Sequence, residues 1–370
     1  MFKAWASTSS GMVDLFAPYT IRDLQVRNRF MRSATTSAYA REDGTVHQEI
    51  IALYRGLARG GVGLIVKGHL YVSEDGKAHR GMAGISSDIH IPGLRRLTDA
   101  VHEEGGHIFA QLNHAGVVYE PDRKGPSRYA EDDWVAREMT EDEIWGVVEA
   151  FGDASERALA AGFDGVQIHG AHGYLISQFL SRRVNRREDE WGGSLENRMR
   201  LLLEVYDEVR GRTGNSPVAV KINCDDFNGD AFTVEDSVEV AKALSDRGVD
   251  LIEISGGGRG ARPEERGRAQ DPEFPELAFA GHAKQIKKAV GRTPVALVNG
   301  FTWLSTMRRV VELGLVDVVS LSRPFIREPD LVKRLEGGQE RVSCERCDAC
   351  RASFGVEMLW CRLEGRGGAS

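Results

Sequence analysis

The stretch VQIHGAHGYLISQFLSRRVNRREDEWGGSLENR, residues 166–198, runs from a strand into the start of a helix and so shows the repeating unit of the predicted fold. It starts within an apolar run, residues 165–169, which predicts a buried strand. Ser194 then precedes an amphipathic segment and places a hydroxyl where the free N–H groups at the start of a helix need an acceptor. The stretch therefore predicts a strand followed by a capped helix.

The same alternation of short apolar runs and longer amphipathic segments extends along most of the chain. The predicted strands occupy residues 29–36, 62–72, 107–113, 165–169, 217–223, 250–255, 294–299 and 317–322. The helical patterns include residues 90–104, 140–161, 194–211, 233–248, 276–290 and 302–314, and several end on glycine. Eight strand–helix alternations predict an α/β fold, the (β/α)8 TIM barrel. A doubly wound open sheet is the alternative, but no G-x-G-x-x-G motif follows the first strand.

Length and composition are consistent with one large domain and an appendage. The 370 residues divide into a predicted barrel over residues 1–335 and a short cysteine-bearing tail over residues 336–370. Apolar residues make up 41% and charged residues 28%, and the net charge of −7 argues against a nucleic-acid partner. Neither a membrane-spanning run nor the apolar core of a signal peptide is present, so we expect a cytoplasmic homo-oligomer without a membrane partner.

Polar or small residues stand in or just after the carboxyl-terminal halves of the predicted strands, the end at which barrels of this class carry their functional sites. These residues are Ser33, Ala34, Thr36, Gly68, Gln111, His169, His172, Tyr174, Lys221, Asn299, Gly300, Ser322 and Arg323. The inventory suits flavin mononucleotide (FMN), since a glycine and an arginine after the last two strands are typical of a phosphate site. Gln111 matches the donor and acceptor groups of the flavin pyrimidine, and Lys221 would stabilise the anionic reduced ring. Thr36 could donate to the flavin O4.

Each of these positions also has a purely structural interpretation. Gln111 could fill a layer of the barrel, and Lys221 could pair with Asp225 or Asp226. His169 and His172 could bind zinc or satisfy backbone groups. The joint pattern, rather than any single residue, favours the flavin.

Beyond these residues, the stretch 166–198 resembles the signature of the Old Yellow Enzyme family of FMN-dependent NADH:flavin oxidoreductases. In that signature H-x-A-[HN]-G-Y-L is followed by D-[EQ]-[YW]-G-G-S-x-E-N-R. The resemblance covers about residues 12–335 and includes LFAPYTIRDLQVRNRF, GGVGLIVKGHLYVS, QLNHAG and SRPFIREPDLVKRL. It implies an ene-reductase, in which NAD(P)H reduces FMN and hydride then passes to the β-carbon of an α,β-unsaturated carbonyl compound.

The resemblance also implies a role for each site residue. His169 and His172 would bind the substrate carbonyl oxygen, and Tyr174 would donate a proton. Gln111 would bind the flavin pyrimidine and the backbone at Gly68 would lie beside the ring. The phosphate would bind at positions that match the family: Asn299, Gly300 and Arg323.

Three positions depart from the family pattern. Ala34 stands where proline is frequent, Lys221 where arginine is more common, and Ser322 where glycine is more common. Lys221 keeps the positive charge but lacks the planar fork of a guanidinium. These differences affect the detail of flavin binding and leave the expected cofactor unchanged.

The tail contains four of the five cysteines, Cys344, Cys347, Cys350 and Cys361. In a cytosolic chain such a group is typical of metal binding rather than of disulfides. It resembles the iron–sulfur segment of the dienoyl-CoA reductase and trimethylamine dehydrogenase branch, although the spacing differs slightly. We expect a [4Fe-4S] cluster, with zinc or an unmetallated relic as alternatives, and a flavin site that the barrel builds without the tail. Cys224 is predicted to be a packing residue.

Two other functions remain open at this point. The chain could dehydrogenate an amine-type substrate and pass electrons through a tail cluster to a partner protein. It could also be a lyase that uses Lys221 as a Schiff base. The loop GGGRGARPEERGRAQ, with Arg259, Arg262, Arg266 and Arg268, is predicted to be solvated and mobile, or alternatively to be a lid that attracts an anionic ligand.

Overall fold

The computed structural model describes residues 13–353 and 358–363. Eight parallel strands form a closed barrel, in which each strand pairs with the next one along the chain. The strands are β1 (Phe30–Thr36), β2 (Leu64–Tyr71), β3 (His107–Asn113), β4 (Gly165–Gly170), β5 (Val218–Asn223), β6 (Leu251–Ser255), β7 (Val295–Val298) and β8 (Val318–Leu321). Pairing of Val319 with Phe30 joins β8 to β1 and closes the ring. The predicted TIM barrel is confirmed, and each predicted strand matches an observed one.

Helices alternate with the strands and cover the outside of the barrel. They are α1 (Gln48–Arg59), α2 (Ile91–His102), α3 (Glu141–Ala160), α4 (Leu195–Thr213), α5 (Val234–Asp246), α6 (Ala280–Val290), α7 (Leu304–Glu312) and α8 (Leu331–Glu336). Two shorter helices occupy Leu175–Leu180 and Pro324–Arg327. Short 3-10 helices occupy Glu74–Gly76, Asp88–His90, Gly116–Val118, Pro263–Ala269 and Ala349–Ser353. The helix predicted over residues 276–290 begins only at Ala280, because turns precede it.

The helix ends show why the sequence signals at these points were informative. The Thr140 hydroxyl accepts the backbone N–H of Glu143, whose carboxylate accepts the backbone N–H of Thr140 in return. The Ser194 hydroxyl likewise accepts the N–H of Asn197. Such caps stabilise a helix by about 1 kcal/mol. The glycines predicted at helix ends have φ angles between 64° and 84°: Gly105, Gly162, Gly248 and Gly314.

The alternation of side chains along each strand determines what fills the barrel. Inward-facing apolar residues form a lower layer, which consists of Met31, Leu64, Val66, Phe109, Ala219, Leu251, Ala296 and Val318. Two residues further along five of these strands stand buried polar residues: Ser33, Gln111, Lys221, Glu253 and Ser320. Gln167 of β4 joins them. The interior therefore changes from apolar to polar on the way to the carboxyl ends of the strands.

Additional segments close the two ends of the barrel. An antiparallel hairpin, Tyr19–Ile21 and Leu24–Val26, packs its buried side chains against the lower apolar layer. After β3 comes a small sheet of three strands, Lys124–Gly125, Tyr129–Glu131 and Trp134–Glu138. A two-residue strand, Ala83–Gly84, pairs with β2.

The tail continues from α8 as a segment that docks on the barrel. The N–H of Leu304 donates to the carbonyl of Glu340 at 2.8 Å, and the N–H of Val342 donates to the carbonyl of Thr302 at 2.9 Å. These bonds hold the tail beside the segment that joins β7 to α7. The chain is thereby directed back to the carboxyl end of the barrel.

Two predictions concern membranes and targeting. In the part of the chain that the structure describes, every helix is too short or too polar to cross a bilayer. The first ten residues, on which the prediction about a signal peptide rests, lie outside the described residues.

Candidate flavin site

A cavity of about 520 Å³ opens at the carboxyl ends of the barrel strands. Eight of the ten predicted cofactor residues line it: Ser33, Ala34, Thr36, Lys221, Asn299, Gly300, Ser322 and Arg323. Gln111 lies in the polar layer beneath and is only 2% exposed. Gly68 packs against β1, where a Cβ atom would lie 2.6 Å from the Cβ of Ala34. The cavity has the size and mixed polarity of a cofactor site.

A chain of hydrogen bonds in the polar layer holds Lys221 at the floor of this cavity. Lys221 Nζ donates to Ser33 Oγ at 2.9 Å, and Ser33 Oγ donates to Glu253 Oε1 at 2.7 Å. Lys221 Nζ also lies 3.3 Å from Glu253 Oε1 and forms an ion pair with it. Ser320 donates to the same oxygen at 2.7 Å.

The ion-pair partner of Lys221 is therefore Glu253 of β6, where the structural interpretation of this lysine had offered Asp225 or Asp226. Sequence reasoning missed Glu253. The available signal was a carboxylate inside the short apolar strand Leu251–Ser255, where an ionisable group needs buried partners.

A second arm of the same network fixes the orientation of Gln111. Gln111 Nε2 donates to Gln167 Oε1 at 2.8 Å, and Gln167 Nε2 donates to Glu253 Oε2 at 3.0 Å. This direction turns the amide nitrogen of Gln111 toward Gln167. Its carbonyl oxygen then suits an N–H donor, such as the one in the flavin pyrimidine.

Positive charge gathers at the other end of the cavity. Arg323, Arg346 and Arg351 all line it, and Asp348 is the carboxylate that pairs with Arg323 among the described residues. Arg346 donates to the carbonyl of Gly300 and thus lies against the loop after β7. Three guanidinium groups and one carboxylate line this end of the cavity, a balance of charge that suits a dianionic phosphate.

The backbone after β7 has the conformation of a tight cradle. Asn299 has a φ angle of 87° and Gly300 a φ angle of 117°. A Cβ atom at Gly300 would lie 2.2 Å from the carbonyl oxygen of Glu276, so this position accepts glycine only. With the guanidinium groups, the loop forms the phosphate end of a site whose floor suits the flavin ring. The residues present therefore fit FMN.

The cysteine tail forms part of the cavity wall. Cys344 and Cys350 line the large cavity, and all four tail cysteines line a smaller one of about 20 Å³ beside Arg323. The expectation that the barrel builds the flavin site without the tail stays a prediction, and the tail residues in this wall give a reason to test it. Arg346, in particular, was not predicted and carries no family motif that would have pointed to it.

The metal site in the tail stays a prediction. Among the described residues, which include all four tail cysteines, no three or more His, Cys, Asp or Glu side chains are grouped so that they could hold a metal ion. Burial raises the pKa of the Cys350 thiol, and Asp348 adds to this effect. Cys224 is fully buried in the main apolar core, as predicted.

The three predicted catalytic residues lie together at the end of β4. The ring centres of His169 and His172 are 5.2 Å apart, and those of His169 and Tyr174 are 5.1 Å apart. His172 borders the large cavity. His69 of β2 completes the cluster, with its ring centre 5.0 Å from that of Tyr174. His69 directly follows Gly68 in the chain, and sequence reasoning assigned it no role.

The protein environment keeps these rings neutral. Burial, followed by the neighbouring His172, lowers the pKa of His169 well below the ordinary histidine value. The pKa of His172 is also lowered by burial and by the Lys221 cation, although this ring is accessible from the cavity. Burial raises the pKa of Tyr174 to about 12, so its hydroxyl keeps the proton at neutral pH.

One hydrogen bond decides which nitrogen of His169 is the donor. His169 Nδ1 accepts the backbone N–H of Ala171 at 3.3 Å. In a neutral imidazole the proton then belongs to Nε2. His169 consequently offers a hydrogen-bond donor, and not an acceptor, to a ligand.

The backbone of His172 is held in an uncommon conformation. Its φ angle is 62°, in the left-handed region. Its N–H donates to Asn223 Oδ1 at 3.2 Å, and its Nε2 lies 2.7 Å from Ser255 Oγ. Two strands, β5 and β6, therefore fix the position of this ring.

The arginine-rich loop after β6 contacts the small sheet that follows β3. Arg259 pairs with Glu131, and its guanidinium lies 5.3 Å from the ring centre of Trp134. For Arg259 the prediction of a solvated side chain is wrong. Arg262 is exposed and pairs with Glu265 at 3.2 Å. The side chains of Arg266 and Arg268 lie outside the described part of the structure.

Residues 14–341 match the NADH:flavin oxidoreductase / NADH oxidase family. The chain belongs to this family. The match confirms the predicted Old Yellow Enzyme resemblance of the barrel and the predicted enzyme class, an NAD(P)H:flavin oxidoreductase, and FMN is the cofactor that the family supports. It ends before Cys344, so the resemblance of the tail to an iron–sulfur segment stays a prediction.

Individual relatives agree with this assignment. The chain is 33% identical over 348 residues to an NADH oxidase of Thermoanaerobacter brockii, in a match that covers 91% of this chain and 52% of that protein. It is 42% identical over 248 residues to an NADPH dehydrogenase of Geobacillus sp. (strain WCH70), covering 66% of this chain and 73% of the relative. The solved complex of 2-naphthoyl-CoA reductase with 2-naphthoyl-CoA superimposes with a TM-score of 0.87 at 29% identity, covering 94% of this chain and 56% of that one. The chain thus spans about half the length of two of these proteins.

The contribution of the tail to the flavin site can be measured at Arg346. Arg346→Gln should weaken FMN binding by about 10- to 100-fold, because a charge-assisted hydrogen bond is worth about 1.5–3 kcal/mol. Titration of the flavin-free protein with FMN, followed by flavin fluorescence, gives the dissociation constant. Arg362→Gln is the control, since this arginine is exposed on the same tail and does not line the large cavity. Equal affinity in both variants would show that the tail does not hold the phosphate.

The lowered histidine pKa values lead to a prediction about pH. An ordinary histidine titrates near pH 6.5, so a clamp of ordinary histidines would change its charge between about pH 5.5 and 7.5. Because His169 and His172 have lowered pKa values, both stay neutral through this range. The affinity for a phenol whose own pKa lies outside the range should be constant across it, as measured by spectral titration of the flavin. An inflection near pH 6.5 would contradict the assignment.

Proposed function

We propose that the protein is an FMN-dependent ene-reductase, which reduces the activated C=C bond of an α,β-unsaturated carbonyl compound. The observation that supports this best is the cluster of neutral donors at the end of β4. His169 presents an N–H, and the protonated Tyr174 lies 5.1 Å away between ring centres. An amine substrate would need an acceptor or an anion at this point, whereas a carbonyl oxygen needs donors.

The two histidines have the properties of a carbonyl clamp. A donor aimed at an oxygen stabilises it more strongly as negative charge develops there, so the clamp favours enolate character in the substrate. Neutral rings donate without adding a fixed positive charge near the flavin. The bond of the His172 backbone to Asn223 holds the second ring of the clamp in place.

Tyr174 is the candidate proton donor for the α-carbon. Its pKa of about 12 keeps the hydroxyl protonated in the resting site, and it can still protonate a carbanion, which is a far stronger base. Its ring packs against those of His69 and His169, at 5.0 and 5.1 Å between ring centres.

The floor and wall of the cavity would hold the cofactor. Lys221 and Gln111 would contact the pyrimidine, Thr36 the O4 edge, and Arg323 and Arg346 the phosphate. FMN, when bound, would supply the hydride chemistry between NAD(P)H and the substrate β-carbon. The side chains of His169, His172 and Tyr174 would orient the substrate, withdraw electron density from its carbonyl group and deliver one proton.

The variant Tyr174→Phe tests this proposal, because it removes a single hydroxyl. Rapid-mixing absorbance measurements separate reduction of the flavin by NAD(P)H from its reoxidation by an enone such as cyclohexenone. We expect the second step to slow by about 10²- to 10⁴-fold, the usual contribution of a general acid, and the first to change little.

The outcomes of this experiment are distinct. If both steps slow equally, Tyr174 positions ligands and does not donate the proton. If the wild-type protein binds FMN but no enone reoxidises the flavin, the ene-reductase proposal fails while the family assignment stands. Ser177→Ala, on the short helix after Tyr174, is a control for general disturbance of this segment.

The position of the tail supports a second candidate function, export of electrons to a partner protein. Cys344 and Cys350 line the same cavity as the flavin-site residues, so a metal cluster at the four cysteines would lie beside the cofactor. The alternative of a Schiff-base lyase loses its basis, because Lys221 is bound to Ser33 and Glu253 and the family is one of flavin enzymes.

Metal analysis of protein purified without oxygen tests this second function. A [4Fe-4S] cluster at four cysteines would give about four irons and four acid-labile sulfides per chain. Cys347→Ser should then abolish the iron signal, while Cys224→Ser, on the buried cysteine of the core, should leave it unchanged. Zinc without iron would indicate a structural tail, and a metal-free protein with full activity would remove the electron-export candidate.

A further inference from the structure

The buried carboxylate of Glu253 has more hydrogen-bond partners than the fold requires. It is 0% exposed, and its two oxygens together contact Ser33, Ser320, Gln167 and Lys221. Ser33, Ser320 and Gln167 all donate to this carboxylate, and Lys221 Nζ forms an ion pair with it at 3.3 Å. A full negative charge therefore lies directly beneath the cavity floor.

Stability alone does not account for this charge. Burying an ion pair costs desolvation free energy, and replacement by apolar residues of similar size is often neutral or stabilising. The layer immediately below is apolar throughout and shows that the barrel can be filled without charge. The ionised pair sits only in the layer that faces the cofactor cavity.

We propose that Glu253 is a positioning residue that sets the reduction potential of the flavin. It acts through two groups that the cofactor would contact, Lys221 and Gln111. This inference rests on the proposed binding of FMN and deepens it, since no part of the family assignment gives a role to Glu253.

The first route is electrostatic. A lone lysine beneath the pyrimidine would strongly favour the anionic reduced ring and raise the potential. Glu253 lies 3.3 Å from Lys221 Nζ, and Ser33 links the two by a second path, so the pair presents little net charge to the cavity. Glu253 thereby keeps the potential low enough for reduced flavin to pass hydride onward.

The second way in which Glu253 would act on the flavin is by setting the donor-to-acceptor direction of a chain of hydrogen bonds. The carboxylate accepts from Gln167 Nε2, which forces Gln167 Oε1 to accept from Gln111 Nε2. Gln111 consequently presents its carbonyl oxygen to the pyrimidine N–H. A neutral amide at position 253 could also donate, and would release this constraint on the direction of the chain.

The test is a charge cycle on FMN-loaded protein, with the midpoint potential as the readout. The variants are Glu253→Gln, Lys221→Met and the two combined, each compared with the wild type at pH 6.5 and at pH 8.5. The ratio of reduced to oxidised flavin is measured at equilibrium with a reference dye. Ser320→Ala is the matched control, because it removes one hydrogen bond to the same carboxylate oxygen without changing charge.

Opposite shifts are expected from the two single variants. At pH 6.5, Glu253→Gln should favour reduction of the flavin by about tenfold or more, equal to about 30 mV for a two-electron couple. At pH 8.5, Lys221→Met should disfavour it by a similar factor. The double variant should return to within about threefold of the wild type, and Ser320→Ala should shift by less than this amount.

Two outcomes would overturn the role of Glu253. One is a shift in Glu253→Gln no larger than in Ser320→Ala. The other is an equal midpoint potential of the flavin in Lys221→Met and in the double variant at pH 8.5. This second outcome can be measured even if Glu253→Gln alone does not fold. FMN binding by the wild-type protein is measured before any variant is compared. If the wild-type protein binds no FMN, the cofactor assignment fails instead.

Discussion

The requirement that a buried carboxylate must be fully hydrogen-bonded governs the carboxyl end of this barrel. Glu253 belongs to β6, and its partners belong to β1, β4, β5 and β8. Five of the eight strands must therefore stand in one register for the charge to be tolerated. A slip of one residue in β6 would turn the carboxylate outward, against the apolar covering helices, and would leave Lys221 without its counter-charge. The same set of hydrogen bonds thus forms the floor of the flavin site and fixes the register of the strands that close the barrel.

The alternation of layers shows how the barrel separates stability from function. The lower layer and the hairpin that covers it are apolar, so burial there contributes free energy without specifying a ligand. The polar layer above contributes less stability and specifies charge and hydrogen-bond direction. The two layers lie two residues apart along each strand, a distance of about 7 Å. A cofactor placed on the polar layer is therefore supported by groups whose positions are set from below.

Much of the fold and a large part of the site could be predicted from sequence. Strand runs, caps such as Thr140 and the glycines at helix ends are local signals, because the physical cause lies within a few residues of the effect. The placement of Lys221, Asn299 and Arg323 around one cavity followed from the rule that strand ends of a barrel converge. These predictions required no knowledge of distant contacts.

The remaining features depend on contacts that have no local signal. Glu253 accepts a hydrogen bond from Ser33, which lies 220 positions earlier in the sequence. Nothing in the strand sequence LIEIS indicates that Ser33 is its partner. The position of Arg346 depends on how the tail docks beside the loop after β7, which the spacing of the cysteines does not specify. His69 lies beside Tyr174 because β2 and β4 are the two neighbours of β3 in the barrel, which brings their carboxyl ends close together.

The left-handed backbone at position 172 limits which residues evolution could retain there. A φ angle of 62° is accessible chiefly to glycine, asparagine, aspartate and histidine. Glycine offers no side chain, and an ionised aspartate cannot donate a hydrogen bond. Histidine and asparagine are the two that combine this backbone with an N–H group. The family motif has either His or Asn at this position. These are the two residues that this main-chain conformation permits together with an N–H donor.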